Sequence, residues 1–359
     1  MYVAVTPGRD LCVDELMSQW HGLEAEFLAN GVPHLTKVVS KPQGVGVMAK
    51  ATADGATRVI LFIEIVERKE DMALKKYCLR KGAAANDEEY MRTLPKVSHT
   101  TATTLRLVEN WHGTWRVVVG DSWFGSLSTA VELRSKGLYC TLTVKTGHKG
   151  FPKKELSQWF VGPGRRIGKK AKRDENLPRG SFKLYQLNVK NHARNESYSI
   201  VALGWADKTV KTVISTRGHT NEGTPARRVR HRLENNAETG LVEQTRITYE
   251  IPRNYMIATF FDAFPAVDIS DHYRQGILAL ESNWQTKRYH IRVFATVLGI
   301  VLTNAFLGYK YERGANDSTD FRTFLGKLAH ELISNVYLDE TRNTRTAAAN
   351  QVYFYYIFL

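Results

Sequence analysis

The run Arg116-Val117-Val118-Val119-Gly120 ends on Asp121. Three successive β-branched valines with no polar alternation predict a short strand buried on both faces. That strand carries an ionisable residue at its C-terminal end, an odd choice for packing alone. Ser126 stands where it can cap the next helix, 126–136, in which Leu127, Ala130, Val131 and Leu133 fall at helical spacing. Gly137 follows as a left-handed terminator. Further strands are expected over 138–145, 183–190, 198–205 and 209–215, the last two joined at Ala206-Asp207-Lys208. With the strand of 115–121 they predict one mixed five-stranded sheet, covered by helices 126–136 and 256–280, in a mixed α/β fold.

Outside this block the pattern is looser. Residues 1–110 combine strands with irregular connections, and Asp54-Gly55 between 45–52 and 58–64 signals a hairpin turn. A helix is expected around 69–81, with a turn at 82–87. Segment 217–246 is polar and rich in Gly, Asn and Arg, and it is assigned as an insertion or long loop. Segments 255–264 and 266–280 are expected to be helical. The clearest helix, 288–310, places Phe294, Val297, Leu298, Val301 and Ala305 on one face. Another amphipathic helix spans 321–338. The final Val352-Tyr353-Phe354-Tyr355-Tyr356-Ile357-Phe358-Leu359 has neither period nor polar punctuation, and 341–359 is expected to be an unstructured or aberrant tail.

The 359 residues carry a formal net charge of +14 and a pI near 9.6. That excess favours a polyanionic partner, of which nucleic acid is the commonest. Cys12, Cys78 and Cys140 are few, odd in number and far apart, so they suit reduced intracellular thiols and exclude a zinc site. The N-terminus lacks a signal-peptide pattern. The most apolar stretch, 293–308, is shorter than the ~20 residues of a membrane span, so neither a membrane nor a small-molecule substrate is expected.

Two basic segments could neutralise phosphates. Residues 164–173 hold six cations (Arg165, Arg166, Lys169, Lys170, Lys172 and Arg173) and no acid before Asp174. The second segment contributes Arg227, Arg228, Arg230 and Arg232. Each cation paired with a phosphate releases counterions and gives salt-sensitive, largely sequence-independent affinity. Solvated loops and nuclear-import signals use the same composition. Trp159 and Phe160 can stack on bases or belong to the core.

Magnesium takes hard oxygen ligands, and phosphodiester chemistry commonly uses two such ions. Asp121 suits that role, although a strand-end Asp also caps helices. Asp268 and Asp271, one helical turn apart in Ala266-Val267-Asp268-Ile269-Ser270-Asp271, suit it too, although acids near a helix start also answer the helix dipole.

At these residues the chain resembles the piggyBac-like transposase family. Pro7-Gly8-Arg9-Asp10-Leu11-Cys12-Val13-Asp14-Glu15-Leu16-Met17 is similar to the family's Pro-Gly … Val-Asp-Glu-x-Met segment. Gly120-Asp121-Ser122-Trp123-Phe124-Gly125-Ser126 looks like its catalytic strand end, and Arg134–Tyr139 and Lys149–Lys153 keep its pattern. Trp205-Ala206-Asp207-Lys208 and Val213-Ile214-Ser215-Thr216 resemble its paired strands. Ala266-Val267-Asp268-Ile269-Ser270-Asp271 matches its (Gly/Ala)-(Val/Ile)-Asp-x-x-Asp motif. The match runs from about residue 7 to 310 in order and spacing.

The resemblance implies a ribonuclease H-like catalytic domain over 111–285, with an insertion about 217–250. It also implies an N-terminal dimerisation or DNA-binding part over 1–110, with helical residues 286–340 packed on it. Function would be metal-dependent DNA strand cleavage and transfer at transposon ends, in the nucleus, with Mg2+ as cofactor and a homodimer as a compatible assembly. Asp121 corresponds to the first catalytic aspartate, Asp268 to the third and Asp271 to a neighbouring one. The second is expected just after the Ser-Thr strand end, where Gly218 or His219 stands. Asp207 is a substitute or a hairpin-turn residue. The family's cysteine-rich zinc module has no counterpart here. These departures imply a shortened copy with impaired catalysis. The alternative is a domesticated, non-catalytic DNA-binding or interaction protein that keeps the fold.

Overall fold

The computed structural model describes residues 6–20, 34–38, 44–78, 97–144, 148–167, 172–191, 196–217, 219–235, 242–284, 286, 288–314 and 316–334. The expected turn at 82–87, the tail at 341–359, Gly218, Lys169 and Lys170 lie outside the described residues.

The first half runs β1 (Asp10–Gln19), β2 (Thr36–Lys37), β3 (Val45–Asp54), β4 (Ile60–Ile65), α1 (Lys69–Leu74), α2 (His99–Leu107), β5 (Val117–Gly120), α3 (Leu127–Ser135), β6 (Tyr139–Thr143) and α4 (Lys153–Val161). Then follow β7 (Phe182–Asn191), β8 (Glu196–Ala206), β9 (Val210–Ser215), β10 (Glu222–Asn235), β11 (Val242–Asn254), α5 (Tyr255–Ala263), α6 (Ala266–His272), α7 (Leu280–Asn283), α8 (Tyr289–Arg313) and α9 (Phe321–Ser334). The chain divides into two compact units, 1–109 with 263–359 and 110–262. Residues 263–285, grouped with the sheet domain in the sequence reading, therefore belong with the first unit.

In the first unit β3 pairs antiparallel with β1, β2 and β4. Alternation along these strands separates two buried faces. Cys12, Leu16, Ala49, Ala51 and Ala53 share a core with Ala266 and Val267 of α6 and Ile300 of α8. On the other face the Thr52 hydroxyl donates to the Leu107 carbonyl at 2.7 Å, which ties β3 to the end of α2. Asn304 of α8 acts as a backbone clamp: it accepts from the Ile60 N–H and donates to the Ile60 carbonyl, both at 2.8 Å.

Three helices differ from expectation. The one foreseen around 69–81 is helical only over Lys69–Leu74. The helix foreseen over 266–280 stops at His272 and continues as a wider π-helical turn, Tyr273–Leu278. Its cause is Arg274, fully buried, which donates to the Met17 carbonyl at 2.9 Å and pairs with Asp271 and Glu281. In α8 the apolar stripe read from spacing faces outward, with Phe294 and Val297 exposed. The buried face is instead Ala295, Thr296, Gly299, Ile300, Thr303, Phe306 and Leu307. At 25 residues α8 is long and apolar enough to cross a membrane by length and composition alone, with 44% of its most apolar window buried.

The second unit holds a mixed sheet of five strands among the described residues, in the order β5-β6-β9-β8-β7. β5 and β6 are parallel and the rest antiparallel. Ser126 caps α3 as expected, its hydroxyl accepting the Thr129 N–H at 3.0 Å. Gly137 ends the helix at φ +69°, where an added Cβ would meet the Gly113 Cα at 2.8 Å. The expected loop at 217–246 is instead the start of a long antiparallel ribbon, β10–β11. Neither face gives a strand period, because only its base is buried: Ala226 and Ile251 join Leu203, Trp205, Val213, Met256 and Ile257.

Candidate metal and DNA-binding residues

Asp121 stands at the C-terminal edge of β5, half-buried. The Trp123 N–H donates to its Oδ1 at 2.7 Å, and the N–H groups of Phe124 and Gly125 donate to its carbonyl at 3.2 and 3.1 Å. This tight turn brings Gly125 onto β6, where an added Cβ would lie 1.7 Å from the Thr143 carbonyl oxygen. Only glycine fits there. The helix cap is Ser126, so capping does not account for Asp121.

Asp268 is exposed in the first turn of α6. Asp271 differs: its Oδ1 accepts from Arg274 at 2.8 and 3.1 Å. As a metal ligand it would have to give up a nearly buried guanidinium, so its primary role is to hold the π-turn. The first unit brings another acid to Asp268. Asp14 lies mid-way along β1, only 7% exposed. Period-two alternation places it on the same face as Cys12 and Leu16, the face that α6 covers. The Cys12 thiol registers both charges: burial first, then Asp14 and to a smaller extent Asp268, push its pKa up to about 12. Its neighbour Glu15 points to the opposite face and pairs with Lys50 at 2.8 Å. Among the described residues no cluster of three or more His, Cys, Asp or Glu forms a ready metal site.

Strand register sets where the end of β9 lies relative to Asp121. Val117 pairs with Tyr139 across β5–β6, and Thr141 pairs with Ser215 across β6–β9. Because β9 runs the other way, the chain leaving Ser215 passes Cys140 and then Tyr139, where the Arg217 guanidinium sits 5.8 Å from the Tyr139 ring. Thr216 and Arg217 therefore lie at the opposite end of this sheet from Asp121. The four residues from Val117 to Asp121 span ~13 Å at the usual strand rise, too far for a shared ion. His219 stacks on Tyr255 at 4.1 Å. Asp207 is not a substitute: its buried carboxylate accepts from Arg179 Nε at 3.0 Å and from Arg228 at 2.7 Å.

The basic segments divide by partner. Arg165, Arg166 and Lys172 are exposed, and Arg173 is half-buried with a bond to the Asp174 carbonyl at 3.3 Å. Phe160 is core, and Trp159 packs partly against the same cluster. On the ribbon, Arg227 pairs with Glu250 at 2.9 Å and Arg228 with Asp207. Arg230 lies over the Tyr249 ring at 5.7 Å, and Arg232 is exposed two positions further along the same face.

The family model described as Transposase IS4 matches residues 1–306. The chain belongs to that transposase family. A search of curated proteins finds no match. Among solved structures, one described as a piggyBac transposase synaptic complex with hairpin DNA is similar, at TM-score 0.54 and 14% identity, over 96% of this chain and 56% of that one. The piggyBac-like, ribonuclease H-like fold is thereby shown, and the transposase chain spans little more than half the length of that relative.

The buried acid that the motifs did not single out is Asp14. Its signal was present in the sequence: an ionisable group inside the apolar run Leu11-Cys12-Val13-Asp14-Glu15-Leu16-Met17 is as odd as Asp121 after its valines. Within the first unit Asp14 and Asp268 offer carboxylate oxygens of the kind a hard cation takes, and the neighbouring thiol, held protonated, does not compete; in the second unit Asp121 offers another such group.

Proposed function

We propose that this transposase-family chain binds double-stranded transposon-end DNA and cleaves it with magnesium, with Asp14, Asp121 and Asp268 as the metal-holding carboxylates. The observation that carries the reading is Asp14, a buried acid on β1 that shares Cys12 with Asp268 across α6. Asp121 adds a carboxylate oriented by the Trp123 N–H. Bound Mg2+ would lower the pKa of an attacking water and neutralise charge on the leaving oxygen. The carboxylates orient and charge-match the ions, and Gly125 keeps the Asp121 turn tight against β6. Arg165, Arg166, Lys172, Arg230 and Arg232 attract the phosphate backbone without reading sequence. Nuclear import through 164–173 and a homodimeric assembly belong to the same reading.

The test is Mg2+-dependent nicking of a duplex that carries the element's terminal repeats. Asp14→Asn, Asp121→Asn and Asp268→Asn should each abolish nicking while leaving duplex binding in place. Duplex binding without nicking by the unaltered chain favours the non-catalytic alternative. Nicking that survives Asp14→Asn removes Asp14 from the site.

A further inference from the structure

At the end of the second unit's sheet away from Asp121, five side chains form a run of rings and guanidiniums. Trp115 precedes β5, Arg134 is in the last turn of α3, Tyr139 opens β6, Tyr198 is on β8 and Arg217 follows β9. The Arg134 guanidinium carbon lies 4.4 Å from the Trp115 ring, 5.2 Å from Tyr198 and 5.5 Å from Tyr139. The Trp115 and Tyr139 rings are 5.5 Å apart at 45°. The Arg217 guanidinium carbon lies 5.8 Å from the Tyr139 ring.

Trp115 departs from ordinary packing in two ways. Its side chain is 44% exposed although it is the largest apolar residue available. Its backbone sits at φ +59°, a conformation that bulky residues avoid and glycine adopts freely. The geometry is pinned by its own N–H, which donates to the Gly137 carbonyl at 2.8 Å. Strain of this kind persists where surrounding structure over-determines it, and it clusters at binding sites. A residue chosen only to make the turn would be glycine.

We infer that Trp115, backed by Arg134 and flanked by Arg217, is a stacking site for an unpaired DNA base. The inference rests on the proposed DNA-binding function, but it uses the end of the sheet away from Asp121. An exposed indole offers a π-face that any base can cover, and a guanidinium behind the ring adds a cation–π contribution. Arg217 supplies positive charge for the adjoining phosphate. A paired base within a duplex cannot use the site, because its neighbours already cover both of its faces. The occupant is therefore a base at a frayed, looped or single-stranded position.

The experiment measures fluorescence anisotropy of a labelled oligo(dT) strand, and of the same strand annealed to oligo(dA), on the full chain and on Trp115→Gly and Trp115→Phe. Glycine accepts φ +59° without strain but loses the ring's contacts with Arg134 and Tyr139, so the melting temperature of Trp115→Gly should fall only modestly. Its affinity for oligo(dT) should fall roughly five- to a hundred-fold, while duplex affinity stays within about twofold. Trp115→Phe should recover most of the single-strand affinity. Unchanged oligo(dT) affinity, or an equal loss for duplex, in Trp115→Gly would overturn the inference and leave the proposed function standing. Failure of the unaltered chain to bind either form would overturn both.

Discussion

Gly218→Asp separates the strand register from the expectation of a lost catalytic acid. If 218 were a vacated ligand position, restoring an acid there would add a coordinating oxygen and raise metal affinity many-fold. The register places Arg217 level with Tyr139 and Val117, four residues from Asp121. That is ~13 Å at a rise of roughly 3.3 Å per residue. A unit negative charge at ~13 Å from a divalent ion contributes about 0.6 kcal/mol in bulk water. Screening with a Debye length of about 8 Å reduces this to ~0.1 kcal/mol at physiological salt. The expected change in Mn2+ affinity is thus less than about 1.3-fold, within the error of isothermal titration calorimetry. A rise of tenfold or more in Gly218→Asp would refute the placement and restore the reading of a decayed site.

Other consequences follow from the same contacts. Asp207→Ala leaves Arg179 and Arg228 without their shared carboxylate, and the cost should be about 2 kcal/mol, below the full cost of breaking a buried pair because Arg228 can turn to solvent; urea unfolding should show a lower midpoint. Arg230→Gln with Arg232→Gln should flatten the slope of log K against log salt by about 1.8, whereas Arg227→Gln, already paired with Glu250, should barely change it. Burial and nearby acid push the Cys12 thiol from 9.0 to about 12, and burial alone pushes Cys140 to about 11. Both pKa values are raised in the fold, so this stabilisation is complete below pH 9 and is lost as pH climbs from 9 towards 11–12. Thermal melts across that window should show it, and iodoacetamide at pH 8 should spare both thiols in the native chain.

The parts of the fold that could be read from sequence are those whose local signals agree with burial. The valines of β5, the Ser126 cap, the Gly137 terminator and the Asp54-Gly55 turn each carry a single physical reading. The ribbon did not, because beyond Ala226 and Ile251 both its faces are wet and its arginines alternate with nothing apolar buried. The face of α8 was misjudged because the helix is apolar nearly all round, so spacing alone cannot say which stripe Ile300 and Phe306 will bury. The break in the 266–280 helix depends on Arg274 reaching Met17, a contact 257 residues away in sequence. Of the carboxylates, Asp121 and Asp268 stood out from their motifs. Asp14 carries a signal too, an acid inside an apolar run, but which of Asp14 and Glu15 faces α6 and which faces Lys50 emerges only once β1 is paired with β3.

The most direct test of the carboxylate assignment is iron-directed cleavage of the polypeptide. Fe2+ takes the place of Mg2+ among oxygen ligands, and with ascorbate it cuts the backbone beside whatever residues hold it, whether or not the chain is catalytically active. Mass spectrometry of the fragments should locate cuts within a few residues of Asp14, Asp121 and Asp268, suppressed by excess Mg2+ and lost in Asp14→Asn. Cuts centred on 215–219, or none near Asp14, would contradict the account.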